Sequence, residues 1–179
     1  AFSLDSLHQK AIYKVAKYKL QKRQFDKVEK LVDIGLQTNQ FNVELISLKA
    51  QNYFWTQDYH QAILWFEKLV ALGESSKFIH EQLSLCYDKT YQLSKAIEEG
   101  LIALKFEPNN TKNLFIQGRL YEKSKEFDKA ESYYTKALEI EDAPLDAQYT
   151  QLGRVLNYQK KYAEAIQVLW DDETKGIFA

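Results

Sequence analysis

The sequence predicts an all-α protein, a right-handed α-solenoid of five helix-turn-helix repeats with about ten helices. Three observations lead to this fold class. Small and aromatic residues recur along the chain with a period of 34 or 35 residues. Within each period, apolar residues fall at helical spacing in two separate blocks. The 179 residues also include only six Gly and two Pro, which are too few for the many tight turns of an all-β domain.

The period is visible in four sets of residues that keep the same spacing. The first set has intervals of 34, 34, 34 and 35 residues, and the second set lies three residues before it. Because the sets are in phase, they predict a single array over residues 1–179 that is built from five repeats. The sets are Val28, Ala62, Ala96, Ala130 and Ala165; Phe25, Tyr59, Leu93, Phe127 and Tyr162; Ala16, Ala50, Ser84, Gly118 and Gly153; and Tyr53, Tyr87 and Tyr121. The predicted repeats are 9–42, 43–76, 77–110, 111–145 and 146–179.

Each repeat is predicted to contain two helices joined by a short turn. In the fourth repeat, small or apolar residues recur at Leu114, Gly118 and Tyr121, and then again at Phe127 and Ala130. The few residues between these two blocks are polar, as expected for a tight turn between antiparallel helices. In chain order, the helix pairs are predicted at 9–38, 43–73, 77–105, 111–140 and 146–171.

Pro and Asn residues separate some of the repeats. Pro108 and Pro144 end the preceding helix, because Pro lacks the N–H that a helix interior requires. Asn110 directly precedes the next apolar block and is expected to cap its helix. After the last pair, residues 171–179 include three acids and a Gly. This segment is expected to be too short and too polar for a stable helix by itself.

The spacing and identity of these residues resemble the tetratricopeptide repeat, a 34-residue helix pair with small and aromatic residues at fixed places. The resemblance covers residues 9–179. The matching residues are Leu83, Tyr87, Ala96, Ala103 and Pro108 in the third repeat; Gly118, Tyr121, Ala130, Tyr134 and Ala137 in the fourth; and Leu152, Gly153, Ala165 and Leu169 in the fifth.

The resemblance implies that the first helix of each repeat lines a concave groove for a protein or peptide. Aromatic and cationic side chains at these places are typical interface anchors. The alternative for Phe78 and Phe115 is that they pack on neighbouring helices. Trp55 is the favoured anchor, because it lies at the end of its helix. The predicted groove residues are Tyr13, Lys17, Ser47, Gln51, Trp55, Phe78, Lys112, Phe115, Arg119 and Arg154.

Two subclasses of helical repeat fit this sequence less well. One subgroup of the family clamps the C-terminal carboxylate of chaperone tails with Lys and Asn, whereas this chain has Tyr13 and Lys17, then Ser47 and Gln51, at those places. The pentatricopeptide RNA-binding repeat has a 35-residue period and a basic groove. Residues 43–179 carry 16 basic and 21 acidic residues, so RNA binding is the disfavoured alternative.

Residue spacing excludes the common catalytic and metal-binding motifs. The three His residues lie far apart, and none is four residues from another His or from Cys86. The chain has neither a Gly-rich phosphate loop nor a Gly-x-Ser-x-Gly nucleophile turn. We therefore predict no catalytic residues, no metal site and no cofactor, and a protein that is not an enzyme.

Charge and hydropathy limit the partners and the locations that are expected for the protein. Residues 1–42 contain eight basic and four acidic residues, an excess that is usually a solvated surface. We expect no nucleic-acid partner. No apolar run approaches the roughly 20 residues of a membrane span, so we expect a soluble protein without membrane insertion. A cytoplasmic location is favoured, and a periplasmic one is left open if a targeting segment was removed.

The C-terminal edge of the array is expected to lack a covering helix. The last repeat would leave an apolar strip bare, and solenoids need a polar cap at such an edge. The chain also contains no Met. We therefore expect a piece of a longer repeat protein that associates weakly with itself through this edge, which makes an assembly module the alternative to a peptide-binding scaffold. The strip comprises Tyr149, Leu152, Leu156, Ile166 and Leu169.

Overall fold

The computed structural model describes residues 2–141 and 146–177, with side chains for 7–141 and 146–170. These residues form ten α-helices, and no strand occurs among them, which confirms the predicted fold class. No helix in the described residues is long and apolar enough to cross a membrane. The helices are α1 (Phe2–Gln21), α2 (Phe25–Thr38), α3 (Val43–Trp55), α4 (Tyr59–Ala71), α5 (Lys77–Lys89), α6 (Leu93–Phe106), α7 (Thr111–Lys123), α8 (Phe127–Ile140), α9 (Asp146–Tyr158) and α10 (Tyr162–Ile177).

The chain divides into two compact units, Ala1–Gln92 and Leu93–Ala179, which we call the N-terminal and C-terminal units. In the N-terminal unit, α1 packs on α2, α3 packs on α4, and further contacts join α1 to α3, α2 to α3 and α4 to α5. In the C-terminal unit, α7 packs on α8, α9 packs on α10, and α6 and α8 contact α7 and α9, respectively. The single array over residues 1–179 and its repeat boundaries stay predictions.

Each pair of helices within a repeat is joined by a residue in the left-handed region that is not Gly. These residues are themselves spaced by 34, 34, 34 and 35. After Tyr87, for example, the N–H of Gln92 donates to the carbonyl of Tyr87 and the N–H of Tyr91 donates to that of Asp88, at 2.9 and 3.2 Å. This pair of bonds is a Schellman motif, which satisfies the last carbonyls of a helix. The five turn residues are Arg23, Gln57, Tyr91, Lys125 and Lys160, with φ between 54° and 65°.

Polar side chains cap the start of several helices. The side-chain oxygen of Asn110 accepts from the backbone N–H of Asn113 at 3.0 Å, so the expected cap of α7 is present. Asn42, Asp58 and Ser76 accept in the same way at α3, α4 and α5. A cap of this kind contributes about 1 kcal/mol, and it fixes where the helix begins.

The core of the C-terminal unit depends on a close crossing of α7 and α8. At Gly118, a Cβ atom would lie 2.6 Å from two ring atoms of Tyr134, which is fully buried. The absence of a side chain therefore lets the Tyr134 ring lie directly against the α7 backbone. Around this crossing, one cluster buries Tyr121, Ala130, Tyr134, Leu152, Val155, Leu156 and Ala165.

The N-terminal unit has its own apolar core between the first two helix pairs. Gly35 on α2 lies against the Leu45 side chain of α3, so the two helices approach closely there. Gln9 Nε2 donates to the Gly35 carbonyl at 2.8 Å, which satisfies a buried polar group beside the crossing. The buried members of this core are Ile12, Ala16, Val28, Val32, Leu45 and Leu48.

Both ends of the helical array extend beyond their predicted limits. Helix α1 begins at Phe2 rather than near residue 9, because the repeat period says nothing about residues before the first repeat, and Phe2–His8 contains no Gly or Pro to interrupt a helix. Helix α10 continues to Ile177, so the predicted end at residue 171 is wrong. Adding residues to an existing helix avoids the cost of nucleation, which is why a segment too polar to form a helix alone continues one.

The predicted bare strip at the C-terminal edge is wrong for three of its five residues. Tyr149, Leu152 and Leu156 are buried, because α9 contacts both α8 and α10 and its apolar face joins the core of the C-terminal unit. Only Ile166 and Leu169 of the strip are exposed. Both belong to α10, which packs mainly on α9.

Relief of backbone strain at the α5–α6 turn is expected to stabilise the protein. Tyr91 has a φ of 60° and is 94% exposed, so its side chain contributes little packing. A residue with a side chain costs about 1–2 kcal/mol in this region. Gly avoids that cost, but part of the gain is lost because Gly has more conformational freedom in the unfolded chain. We expect Tyr91→Gly to raise the free energy of unfolding by about 0.5–1 kcal/mol in urea titrations.

Tyr91→Ala is the matched control for this prediction. Ala also lacks the Tyr ring but keeps the Cβ atom that makes the left-handed region unfavourable. It should therefore give no stabilisation. If both variants change the unfolding free energy equally, backbone strain at Tyr91 is not the cause.

Candidate functional site

The predicted groove residues lie on the first helices of the repeats, and they are divided between the two units. Helices α1, α3 and α5 carry the first six, from Tyr13 to Phe78, in the N-terminal unit. Helices α7 and α9 carry Lys112, Phe115, Arg119 and Arg154 in the C-terminal unit. Each unit therefore presents its own part of the candidate surface.

In the N-terminal unit, the α1 and α3 positions form two short rows of side chains. Lys17 Nζ donates to the Tyr13 hydroxyl at 3.3 Å and lies 5.5 Å from the centre of its ring. On α3, Gln51 Nε2 donates to the Ser47 hydroxyl at 3.1 Å. Since α1 contacts α3 directly, these rows belong to neighbouring helices.

The C-terminal ends of α1 and α3 border a pocket of about 260 Å³, which we call the N-terminal pocket; of the two rows, only Gln51 lines it. Trp55 forms one wall and remains 55% exposed. Its ring is supported by an edge-to-face contact with Phe54, with centroids 5.6 Å apart. Such support holds an exposed indole in place. The lining residues are Leu20, Gln21, Arg23, Phe25, Gln51 and Trp55.

The aromatic residues predicted on α5 and α7 also contribute to the cores. Phe78 is partly exposed, but its ring lies 6.3 Å from that of Phe66, which is fully buried. Phe115 is half-buried and packs against two core clusters, with its ring centroid 5.5 Å from that of Tyr134. Packing is therefore a role of both residues, whereas Trp55 presents more of its surface to solvent.

In the C-terminal unit, the predicted cation Arg154 is held by a carboxylate of the same chain. Its Nε and one terminal nitrogen donate to Glu122 at 2.6 and 2.9 Å, a two-point contact that links α9 to α7. The Tyr134 hydroxyl donates to the same carboxylate at 3.1 Å. The bond to Glu122 raises the pKa of Arg154, and burial followed by the nearby Glu122 charge raises the pKa of Tyr134.

Arg119 and Arg154 come together at a second pocket of about 480 Å³, which we call the C-terminal pocket. Tyr158 stacks on Phe127 within it, with ring centroids 5.1 Å apart. The predicted residue Lys112 lies near the start of α7 and does not line this pocket. The lining residues are Arg119, Glu122, Lys123, Lys125, Phe127, Arg154 and Tyr158.

The two pockets are the same site in two different repeats. Each residue that lines the N-terminal pocket has its equivalent, three repeats later, among the residues that line the C-terminal pocket. The predicted groove missed the turn residues Arg23 and Lys125 and the helix-start residues Phe25 and Phe127, because it took only first-helix positions. The 34-residue period could have identified them. The equivalent pairs are Leu20 and Glu122, Gln21 and Lys123, Arg23 and Lys125, Phe25 and Phe127, Gln51 and Arg154, and Trp55 and Tyr158.

Other reactive groups in the described residues form no further site. Among the side chains described, those of 7–141 and 146–170, no group of three His, Cys, Asp or Glu could hold a metal ion. Cys86 is a free, fully buried thiol on α5. Burial raises its pKa to about 12, so it stays protonated at neutral pH and is a poor nucleophile.

Comparison with known proteins identifies the repeat and its relatives. Residues 112–143 match the tetratricopeptide repeat family model. The peptidyl-prolyl cis-trans isomerase FKBP4 of Bos taurus is 26% identical over 182 aligned positions, and that of Homo sapiens 27% over 183. Each match covers 89% of this chain but 40% of the relative. The chain therefore spans less than half the length of these relatives.

Two solved structures share the fold at low identity. The crystal structure of MamA superposes with a TM-score of 0.86 at 20% identity, covering 96% of this chain and 95% of that one. YrrB, described as a TPR protein with an unusual peptide-binding site, gives a TM-score of 0.81 at 17% identity, covering 88% of this chain and 80% of that one. At these identities the likeness establishes the fold.

The Glu122–Arg154 pair is expected to couple α7 to α9 energetically. Glu122 is mostly buried whereas Arg154 is about half exposed, so solvent screens part of the attraction. In a double-mutant cycle with Glu122→Gln and Arg154→Met, we expect a coupling free energy of about 1 kcal/mol, at the upper end for partly exposed pairs. Urea unfolding of the four proteins measures it.

The solvent-exposed pair of Lys129 and Glu126, at the start of α8, is the control for this cycle. Lys129 is more exposed than Arg154, and Glu126 is more exposed than Glu122, so water and salt screen their attraction more strongly. The coupling should therefore be smaller and should fall further as salt is added. Equal coupling in the two cycles would show that the two-point geometry at Arg154 adds nothing.

Proposed function

We propose that this chain is a protein–protein interaction scaffold of tetratricopeptide-like repeats that binds a peptide or extended protein segment on the first helices of its repeats. The observation that carries the proposal is the set of exposed aromatic and cationic side chains on these helices, above all Trp55 beside its pocket. Aromatic and Arg side chains are the commonest anchors of protein interfaces. The peptide-binding site named for YrrB supports the same use of this fold.

We propose no isomerase activity for this chain. The relatives that carry the isomerase name match it over 40% of their length. The described helices of this chain are accounted for by the five helix pairs. We also propose no nucleic-acid partner, because residues 43–179 are net acidic. The compartment predicted from the sequence stays a prediction.

Charge reversal on the first helices is expected to weaken peptide binding. A peptide selected from a random phage-displayed library would be measured by fluorescence anisotropy. Lys17→Glu on α1 and Lys112→Glu on α7 both change exposed side chains. Each is expected to weaken binding of an acidic peptide by about threefold to tenfold at low salt, as for one interface charge. Hydrogen exchange should show protection by the peptide on the first helices.

Lys30→Glu on α2 and Lys105→Glu on α6 make the same change on second helices. Both side chains are exposed, so the net charge and the fold are matched to the first-helix variants. They should alter the dissociation constant by less than about twofold. Protection that maps to the second helices instead would overturn the proposed surface.

A second candidate function is assembly with another copy through the outer face of α10. Its supporting observation is a run of exposed apolar residues in one helix, of which Ile166 is 65% exposed. Clusters of this kind on a surface often mark interaction sites. The exposed residues are Tyr162, Ile166, Leu169 and Trp170.

Sedimentation tests the assembly function directly. If α10 mediates association, the weight-average mass should rise with protein concentration, and Ile166→Glu should abolish that rise because a charge would enter an apolar contact. The exposed Gln167→Glu variant adds the same charge on the neighbouring position as a control. A mass that stays constant over the concentration range would exclude this function for the chain.

A further inference from the structure

The two equivalent pockets differ in whether their charged and aromatic lining residues already have partners within the chain. In the C-terminal pocket, Glu122 neutralises Arg154, and Tyr158 stacks on Phe127. In the N-terminal pocket, the position of Glu122 is taken by Leu20 and that of Arg154 by Gln51. No carboxylate therefore lines the N-terminal pocket.

The charge around the N-terminal pocket is positive and unsatisfied. Among the residues whose side chains the structure describes, Arg23 and Lys17 have no acidic partner. The acid nearest to Trp55 along the chain is Asp58, whose carboxylate already caps α4 by accepting from the Gln61 N–H. None of the residues that line the pocket is acidic. A carboxylate from a ligand would therefore meet no acidic lining residue there.

Two of the three acids of α2 bind other residues of the chain. Asp33 pairs with Lys49 of α3, and Glu29 accepts from the Tyr53 hydroxyl at 2.6 Å. Neither carboxylate lines the pocket. Asp26, the third acid of α2, does not line the pocket either, and it forms no ion pair with Arg23.

The size and walls of the pocket suit a single aromatic side chain. Its volume of about 260 Å³ lies below the roughly 300–1,000 Å³ of sites for drug-sized molecules. Leu20, Phe25 and Trp55 supply an aliphatic wall and two aromatic walls, which favour an inserted ring through edge and face contacts. Gln21 and Gln51 leave polar groups at the side for the backbone of a bound segment.

From these observations we propose that the N-terminal pocket is the anchor site for an aromatic side chain of an acidic protein segment, with Arg23 contacting a neighbouring carboxylate. This inference rests on the proposed scaffold function and names its partner chemistry. The carboxylate belongs to Asp or Glu side chains inside the segment. The equivalent C-terminal pocket is not expected to bind the same segment, because Arg154 is already paired with Glu122 and the rings of Phe127 and Tyr158 stack on each other.

The test uses a fluorescein-labelled, C-terminally amidated peptide with one Phe between acidic residues, Gly-Ser-Asp-Glu-Phe-Asp-Glu-Ser-Gly. The amide removes the terminal carboxylate, so only side-chain acids remain. In anisotropy titrations, Trp55→Ala is expected to weaken binding by about tenfold or more, as for a hot-spot aromatic. The peptide with Ala for Phe should bind as weakly to the wild-type chain.

Arg23 permits a variant that removes charge without straining the fold. Its φ is 54°, a conformation that Asn tolerates better than most residues. Arg23→Asn is expected to weaken binding by about threefold to tenfold at about 50 mM salt and by less at about 500 mM, where screening is stronger. The double variant Leu20→Glu with Gln51→Arg places the Glu122–Arg154 pair in the N-terminal pocket and should weaken binding as much as Trp55→Ala.

Tyr158→Ala and Lys125→Asn are the matched controls, because they make corresponding changes at the equivalent positions of the C-terminal pocket. They should change the dissociation constant by less than about twofold. Circular dichroism of every variant verifies that the helices are retained. Unchanged binding by Trp55→Ala, or equal losses in the two pockets, would overturn the anchor site. If Lys17→Glu and Lys112→Glu weaken binding while Trp55→Ala and Arg23→Asn do not, the scaffold function stands and the anchor site in the N-terminal pocket is rejected.

Discussion

The close crossing of α7 and α8 at Gly118 is the contact from which the chemistry of the C-terminal unit follows. Because Gly118 has no side chain, the Tyr134 ring lies against the α7 backbone and is fully buried. Its hydroxyl then needs a partner, since an unsatisfied buried group costs about 1–3 kcal/mol. Glu122 accepts that bond and also binds Arg154. A steric requirement inside the core is thus linked, through Glu122, to the C-terminal pocket.

The N-terminal unit meets the same steric requirement with other residues and leaves a different surface. Its buried crossing uses Gly35 against Leu45, and the Tyr53 hydroxyl donates to Glu29 of α2. Leu20 stands where Glu122 stands in the other pocket. The repeated backbone therefore supplies equivalent positions, while the side chains decide whether each pocket is satisfied internally or left for a partner.

In a repeat protein, the fold and the surface chemistry depend on different residue positions. The small and aromatic residues at helix crossings must fit in volume, since interiors are close-packed. Positions that face outward on the first helices have no such constraint. This separation agrees with a shared fold at 17–20% identity to YrrB and MamA. It is also why the fold by itself does not name a partner.

The sequence by itself determined the ten helices and most of their bounds, because helical spacing and the 34-residue period are local properties of the chain. It also placed Trp55 and Arg154 on first helices. Tertiary structure alone decided that Arg154 is held by Glu122, that Tyr149 and Leu156 are buried, and that Arg23 borders a pocket. The reason is physical: exposure and pairing depend on what a neighbouring helix presents, and a spacing along one helix does not contain that information.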